Sequence, residues 1–239
     1  MKKLLCMLLA LVMVMAMAAC GDENKKPYEE AVAAYNAGAY EEAANKLAAL
    51  GEYKDAATLL ASIQAEKSGV TTTVTTAEGE VTTTSEYVIK DGNLVKENIS
   101  LADGTVIKNY YKYDDNGLCS SETRNQADGG KVVINHLYED GIKVRSIRTN
   151  ANKTKDNYEF TCDESGKVMS HVLTFADNTT EEATYTYNEA GQLSVISATS
   201  GNTTFEYNAF GDCVKETVEA NGEVVRATTY AYIYTFVAG

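Results

Sequence analysis

Histidines, cysteines and paired acidic residues are the side chains of this sequence that could bind a metal or catalyse a reaction. His136 and His171 lie 35 positions apart, and neither a His-x-x-x-His nor a Cys-x-x-Cys spacing accompanies them. The acidic pairs Asp114–Asp115 and Asp163–Glu164 lack the spaced ligands and the bidentate Glu of a calcium loop. The sequence also contains no nucleophile elbow, phosphate loop or dinucleotide fingerprint. We therefore expect no metal site, no cofactor and no enzymatic activity.

The cysteines argue against a fold built on disulfides. Cys6 and Cys20 lie in the N-terminal segment, which leaves Cys119, Cys162 and Cys213 in the body of the chain. An odd number cannot form a complete set of disulfides. Each of the three replaces a hydrophobic residue of the repeat described below, so we expect them to be small buried hydrophobic side chains. A disulfide or a metal site is the alternative.

The first twenty residues have the layout of a bacterial secretory signal. Two lysines precede an uncharged apolar run from Leu4 to Ala16, and Met17-Ala18-Ala19-Cys20 follows. The end of this segment resembles the lipobox of bacterial lipoproteins, whose cysteine receives a diacylglyceryl group and becomes the new N-terminus. The resemblance implies a signal peptide at 1–19 and palmitate-type lipidation of Cys20, with the protein anchored on the extracytoplasmic face of the cell membrane. A soluble secreted protein is the alternative.

Acidic residues outnumber basic ones 34 to 21, and the formal net charge is −13. This balance argues against a nucleic-acid partner, because a phosphate backbone needs Lys and Arg to displace its counterions. It also argues against binding to anionic lipid through a basic patch. Residues 20–26 are polar and are expected to form a tether. The expected partners are the membrane, through the lipid on Cys20, and a protein, peptide or glycan ligand.

Residues 27–67 show helical spacing of apolar side chains. Positions i, i+3, i+4 and i+7 are apolar in three successive stretches that start at Tyr28, Tyr40 and Tyr53. The pattern predicts two or three short helices. The segment YNAGAYEEAANKLAAL, at 35–50, resembles a tetratricopeptide repeat. About one and a half units are present, which implies a cap or spacer rather than a peptide-binding array.

A repeat fills the segment 70–239. Four stretches align without gaps: YKYDDNGLC, FTCDESGKV, YTYNEAGQL and FEYNAFGDC. In each, Asp or Asn opens a turn and Gly supplies a positive φ, so the Gly marks a hairpin bend. Strands of about 7 to 9 residues between such bends predict a mainly β fold, an antiparallel meander of about 12 to 14 strands in an open or rolled sheet. The predicted turn glycines are Gly92, Gly117, Gly141, Gly166, Gly191 and Gly211.

These stretches resemble the YD repeat of the RHS family of bacterial surface and toxin-delivery proteins, over roughly residues 86 to 220. The family commonly has Arg directly after the turn Gly, where this chain has Leu118, Lys167, Gln192 and Asp212. The family also builds large closed shells from many repeats, and about five or six repeats are too few for such a shell. The resemblance therefore implies a curved or rolled open sheet and no toxin-enclosing role. Gly-turn hairpins of the MORN type are a weaker resemblance.

Tyr230, Tyr232 and Tyr234 alternate on the last predicted strand and therefore share one face. That face is either a core of stacked rings or an exposed platform for a peptide or glycan. We take these three tyrosines as the candidate ligand-binding residues.

The lipoprotein-like signal and the repeat together predict a non-enzymatic binding or interaction module anchored to the membrane. The alternative is a structural or self-associating envelope lipoprotein, because strand edges without Pro are open to pairing. A glycan hydrolase would need two carboxylates in one cleft, and the sequence singles out no such pair.

Overall fold

The computed structural model describes residues 22–238. The signal peptide predicted at 1–19, the lipidation site Cys20 and the start of the tether lie outside the described residues. The described chain divides into two compact units. One runs to Ala65 and includes the end of the chain from Phe236, and the other spans Glu66–Thr235.

Three short helices form most of the first unit. The first helix begins before the predicted boundary at 27, and Pro27 lies in its first turn, where a missing N–H loses no hydrogen bond. Ala31, Ala43 and Ala56 are fully buried, so small side chains line the contacts in this unit. None of the helices among the described residues has the length and hydropathy needed to cross a membrane. The helices are α1 Lys25–Asn36, α2 Tyr40–Leu50 and α3 Ala56–Ser62.

Within residues 22–238, fourteen strands form one antiparallel sheet in which each strand pairs with its neighbours in sequence, which confirms the predicted meander. The first strand starts at Ile63, before the predicted boundary at 70. The sheet rolls up completely, because the first strand also pairs with the last and closes a barrel. The strands are β1 Ile63–Thr76, β2 Gly79–Lys90, β3 Asn93–Ser100, β4 Val106–Tyr113, β5 Cys119–Asn125, β6 Lys131–Glu139, β7 Ile142–Thr149, β8 Lys155–Cys162, β9 Val168–Thr174, β10 Thr180–Tyr187, β11 Leu193–Ala198, β12 Gly201–Tyr207, β13 Cys213–Ala220 and β14 Glu223–Ala238.

The six predicted turn glycines all lie in bends between strands, with φ between 76° and 83°. The bend at Gly117 shows how the sequence makes the turn. The Asp114 Oδ1 accepts the backbone N–H groups of Asn116 and Leu118, both at 2.9 Å. The Gly117 N–H donates to the Asp114 carbonyl at 3.0 Å, and a side chain at its φ of 78° would cost about 1–2 kcal/mol. Local contacts alone therefore hold the bend.

A β-bulge follows each of these bends and decides which side chains face inward. Tyr113 pairs with Cys119 while Lys112 pairs with Ser121, so Ser120 is an extra residue. Because of the extra residue, the second and fifth positions after the turn glycine lie on the same face, the barrel interior. The residues at the fifth position are Glu97, Glu122, Ser146, His171, Ile196 and Glu216.

Tyrosine side chains join each repeat to the one before it. In four repeats the last aromatic residue of the motif donates a hydrogen bond to the backbone carbonyl two positions after the previous turn glycine. Cys162 stands in the tyrosine position of one repeat, and its Sγ is 3.6 Å from the Lys143 carbonyl. The four tyrosine bonds are Tyr113 to Leu94 at 3.0 Å, Tyr138 to Cys119 at 3.0 Å, Tyr187 to Val168 at 2.5 Å and Tyr207 to Leu193 at 2.7 Å.

Candidate functional site inside the barrel

A cavity of about 500 Å³ lies inside the barrel against strands β5 to β8. This volume lies in the range of small-molecule binding sites. One part of the wall is apolar or aromatic and the other part is charged, with three cations and one carboxylate. The apolar and aromatic residues are Val132, Ile134, Tyr158 and Phe160, and the charged residues are Glu122, Arg124, Lys143 and Arg148.

Cys119, Glu122 and His136 come together beside this cavity. One sulfur, oxygen or nitrogen atom from each lies within 4.8 Å of the other two. Glu122 and His136 line the cavity, and their side chains are only 16% and 7% exposed. The search for fixed ligand spacings missed this cluster, because Cys119 and Glu122 share a face only through the bulge at Ser120. The sequence feature that could have predicted the cluster is the Cys-x-x-Glu stretch that starts two residues after a turn glycine.

A chain of hydrogen bonds holds the His136 ring. Its Nδ1 lies 2.8 Å from the Ser146 Oγ, and its Nε2 lies 2.9 Å from the Glu122 Oε1. Arg124 donates to the other oxygen of Glu122 at 2.7 and 3.0 Å. The hydrogen bond from His136 lowers the pKa of Glu122 to about 2, against the opposing effect of burial and with help from Arg124.

The order Ser146, His136, Glu122 is that of a hydrolase triad with the ring reversed. In serine hydrolases the imidazole Nε2 contacts the nucleophile and Nδ1 contacts the acid. Here Ser146 lies directly opposite His136 in the β6–β7 ladder, so the contact is the ordinary one between paired residues. The chain of bonds thus orients the ring.

Arg148 of the cavity wall forms an ion pair with the buried carboxylate of Asp156. The Arg148 Nη2 and Nε donate to the Asp156 Oδ2 at 2.6 and 2.9 Å, and Asn150 donates to the same oxygen at 2.9 Å. The Ala176 N–H lies 3.3 Å from the Asp156 Oδ1. Burial alone would raise the pKa of Asp156, but the bonds from Asn150 and Arg148 outweigh burial and the pKa is lowered.

Lys143 is the cation of the cavity that lacks an acidic partner. Within residues 22–238, no carboxylate lies within ion-pair distance of its Nζ, which instead lies 5.9 Å from the centre of the Tyr138 ring. Burial raises the pKa of the Cys119 thiol, and the charge of Lys143 acts in the opposite direction. A cation without a partner attracts anionic groups into the cavity.

An aromatic strip continues from the cavity wall across β8, β9 and β10. The ring of His171 lies 5.5 Å from Tyr158 and 5.6 Å from Tyr185, and its Nδ1 is 2.9 Å from the Tyr185 hydroxyl. Burial lowers the pKa of His171 and raises the pKa of Tyr185 to about 12. Both groups are therefore neutral at neutral pH, and this strip adds aromatic surface without charge.

The three tyrosines proposed from the sequence lie elsewhere in the barrel. The rings of Tyr230, Tyr232 and Tyr234 follow one another along β14 at 6.4 and 5.9 Å, and all three are half-buried. Tyr234 donates to the Asp212 Oδ2 at 2.7 Å and accepts from the Asn208 Nδ2 at 2.7 Å. None of the three lines the cavity, and they form an inward-facing ladder of rings.

The three cysteines of the body, Cys119, Cys162 and Cys213, are free and half-buried. No disulfide joins them in the part of the chain that the structure describes. Burial raises the pKa of the Cys213 thiol as it does for Cys119.

Comparisons with known proteins find the repeat and a distant likeness of fold. The RHS Repeat family model matches residues 187–224. No curated protein matches the chain. Solved structures that are similar include porin-like proteins from Bacteroides uniformis ATCC 8492 and Bacteroides vulgatus ATCC 8482. The first is 11% identical to this chain with a TM-score of 0.39, and the match covers 70% of this chain and 98% of the porin-like chain. The second is 13% identical with a TM-score of 0.42 and covers 70% and 99%.

A third similar structure is a mutant Tc holotoxin pore from Photorhabdus luminescens. It is 10% identical with a TM-score of 0.24, and the match covers 66% of this chain and 11% of that one. The family match falls on the last two of the four aligned stretches, where Tyr187, Gly191, Tyr207 and Gly211 stand in motif positions. This chain contains YD/RHS-type repeats.

Proposed function

We propose that the protein is a membrane-anchored extracytoplasmic lipoprotein that acts as a non-enzymatic binding module, with its ligand held in the barrel cavity. The first twenty residues support the anchor, since they resemble a lipoprotein signal that ends at Cys20. The helical unit supports a spacer role, because α1 to α3 form too few units for a peptide-binding array.

The cavity is the observation that carries this proposal. Its three cations face a single carboxylate, although the whole chain has a net charge of −13. Arg124 and Arg148 are paired with acidic side chains, which leaves Lys143 to meet an incoming anion. Tyr158 and Phe160 offer flat apolar surface beside these charges. We therefore infer a small ligand with an anionic group and an apolar or aromatic part.

No observation favours the alternative of a self-associating envelope lipoprotein. That alternative depends on unpaired strand edges, and β1 and β14 pair with each other. For this reason we place the contact surface inside the barrel and not along its edges.

The binding proposal can be tested with 1-anilinonaphthalene-8-sulfonate, an aromatic anion whose fluorescence rises in apolar sites. We expect one molecule per mature chain. Lys143→Gln should weaken binding about tenfold, the effect of losing about 1.4 kcal/mol of charge attraction. Lys108→Gln is the matched control, since Lys108 is exposed on β4. Ile134→Trp should weaken binding, because the larger side chain narrows the cavity. If neither Lys143→Gln nor Ile134→Trp changed the affinity for the dye, the cavity would not be its binding site.

The anchor can be tested separately by palmitate labelling in a bacterial host. We expect label and membrane retention in the wild type and the loss of both in Cys20→Ala. Retention of label in that variant would contradict lipidation at Cys20.

A further inference from the structure

We propose that Cys119, Glu122 and His136 bind a divalent transition-metal ion of the zinc type. The three donor atoms lie within 4.8 Å of one another, and His136 Nε2 is 2.9 Å from Glu122 Oε1. Zinc bonds of about 2.0–2.3 Å in tetrahedral geometry need donor atoms about 3.3–3.8 Å apart. An ion would therefore replace the proton between His136 and Glu122 and widen that gap by a few tenths of an ångström.

His136 and Glu122 each form a hydrogen bond through the atom that would not bind the ion, as metal ligands usually do. The Ser146 Oγ is 2.8 Å from the Nδ1 of His136, so a proton on Nδ1 leaves the lone pair of Nε2 facing the site. Arg124 binds the Oε2 of Glu122 and leaves Oε1 for an ion. Such contacts fix the orientation of a ligand before the ion arrives, which lowers the entropic cost of binding.

The donor set selects the kind of ion. A thiolate and an imidazole favour zinc and similar ions over Mg²⁺ and Ca²⁺, which prefer oxygen ligands. The thiolate and the carboxylate together balance a double positive charge. Three protein ligands leave the fourth coordination position of the ion open. Because Glu122 and His136 line the cavity, we expect that position to face the cavity.

The repeat that contains Cys213 lacks the histidine donor and can be compared with the first repeat, which contains Cys119. Cys213 and Glu216 occupy the same positions after a turn glycine, with the same bulge between them. In the first repeat Glu122 pairs with Ile134, and His136 follows two positions later. In the second repeat Glu216 pairs with Thr228, so Tyr230 takes the place of the histidine. The inference is therefore restricted to Cys119, and Cys213 is its control.

Titration of the full mature chain with Co²⁺ alone, with the thiols reduced, tests the site. We expect one ion per chain, with the absorption that a cobalt–thiolate bond produces, and displacement of cobalt by Zn²⁺. Cys119→Ser and His136→Gln should each remove that absorption and weaken Zn²⁺ binding more than about 100-fold. Ser146→Ala should weaken it about tenfold. Cys213→Ser should behave as the wild type.

Absorption that persists in Cys119→Ser, or that is lost only in Cys213→Ser, would overturn the proposal. X-ray absorption of the zinc-loaded wild-type chain provides a readout that needs no variant. One sulfur at about 2.3 Å with nitrogen and oxygen at about 2.0–2.2 Å is expected, and a shell without sulfur would contradict the site. The result does not decide the proposed function, because binding of the aromatic anion depends on Lys143 and is measured without metal.

Discussion

Gly201→Ala is expected to lower the free energy of unfolding by about 3 kcal/mol or more. Gly201 begins β12 at a φ of 147°, where any side chain is strained at a cost of about 1–3 kcal/mol. A Cβ there would also lie 1.9 Å from the Glu219 carbonyl oxygen on β13. Since this oxygen belongs to the backbone, it cannot rotate away, and overpacking of this kind adds about 1–3 kcal/mol. Urea unfolding followed by far-ultraviolet circular dichroism measures the loss.

Gly222→Ala is the matched control for this variant. Gly222 also has a positive φ, 79°, but a Cβ there would meet no atom within 4 Å. Only the backbone cost of about 1–2 kcal/mol should appear. Equal losses in the two variants would show that β12 and β13 do not approach as closely as the structure has them.

Asp156→Ala should destabilise the barrel by about 3 kcal/mol, because it removes a buried carboxylate that accepts hydrogen bonds from Arg148, Asn150 and the Ala176 N–H. Asp156 is only 3% exposed and accepts hydrogen bonds from both Arg148 and Asn150. Glu206→Ala is the control, since Glu206 is 62% exposed and its pair with Lys215 should contribute less than about 1 kcal/mol. The same unfolding measurement compares the two variants, and similar losses of stability would contradict a structural role for the buried carboxylate of Asp156.

The same carboxylate predicts how stability depends on pH. The pKa of Asp156 is lowered in the folded state from an unfolded value of about 3.9. Its contribution is therefore fully present above that value and is lost as the pH falls through the folded pKa. Asp156→Asn should lose stability less steeply than the wild type below about pH 4. Parallel curves for the two proteins would contradict the ion pair.

The hairpins could be predicted from the sequence because their causes are local. At Asp114 and Gly117 a side-chain acceptor and a left-handed glycine lie within four residues, so no distant contact is needed. The helical spacing at α1 to α3 is local in the same way. Closure was not predictable, since it depends on the curvature accumulated over fourteen strands and on the meeting of β1 with β14.

The site escaped prediction for a related reason. Cys119 and Glu122 would lie on opposite faces of a regular strand, and only the bulge at Ser120 brings them together. His136 reaches them from the next strand, at a distance in sequence that no ligand motif describes. The cavity needs a closed barrel as well, because an open sheet has no interior for Lys143 or Tyr158 to face.

Hydrogen exchange along β1 tests closure of the barrel most directly. In a closed sheet, β1 is hydrogen-bonded to β2 on one side and to β14 on the other, so the β1 amides that point away from β2 face β14. We expect these amides to be protected as strongly as those of β7 and β8 in the wall of the cavity. If every second amide of β1 exchanged at the rate of an unstructured chain, the sheet would have a free edge. The barrel would then be open, and it would enclose no cavity for a ligand.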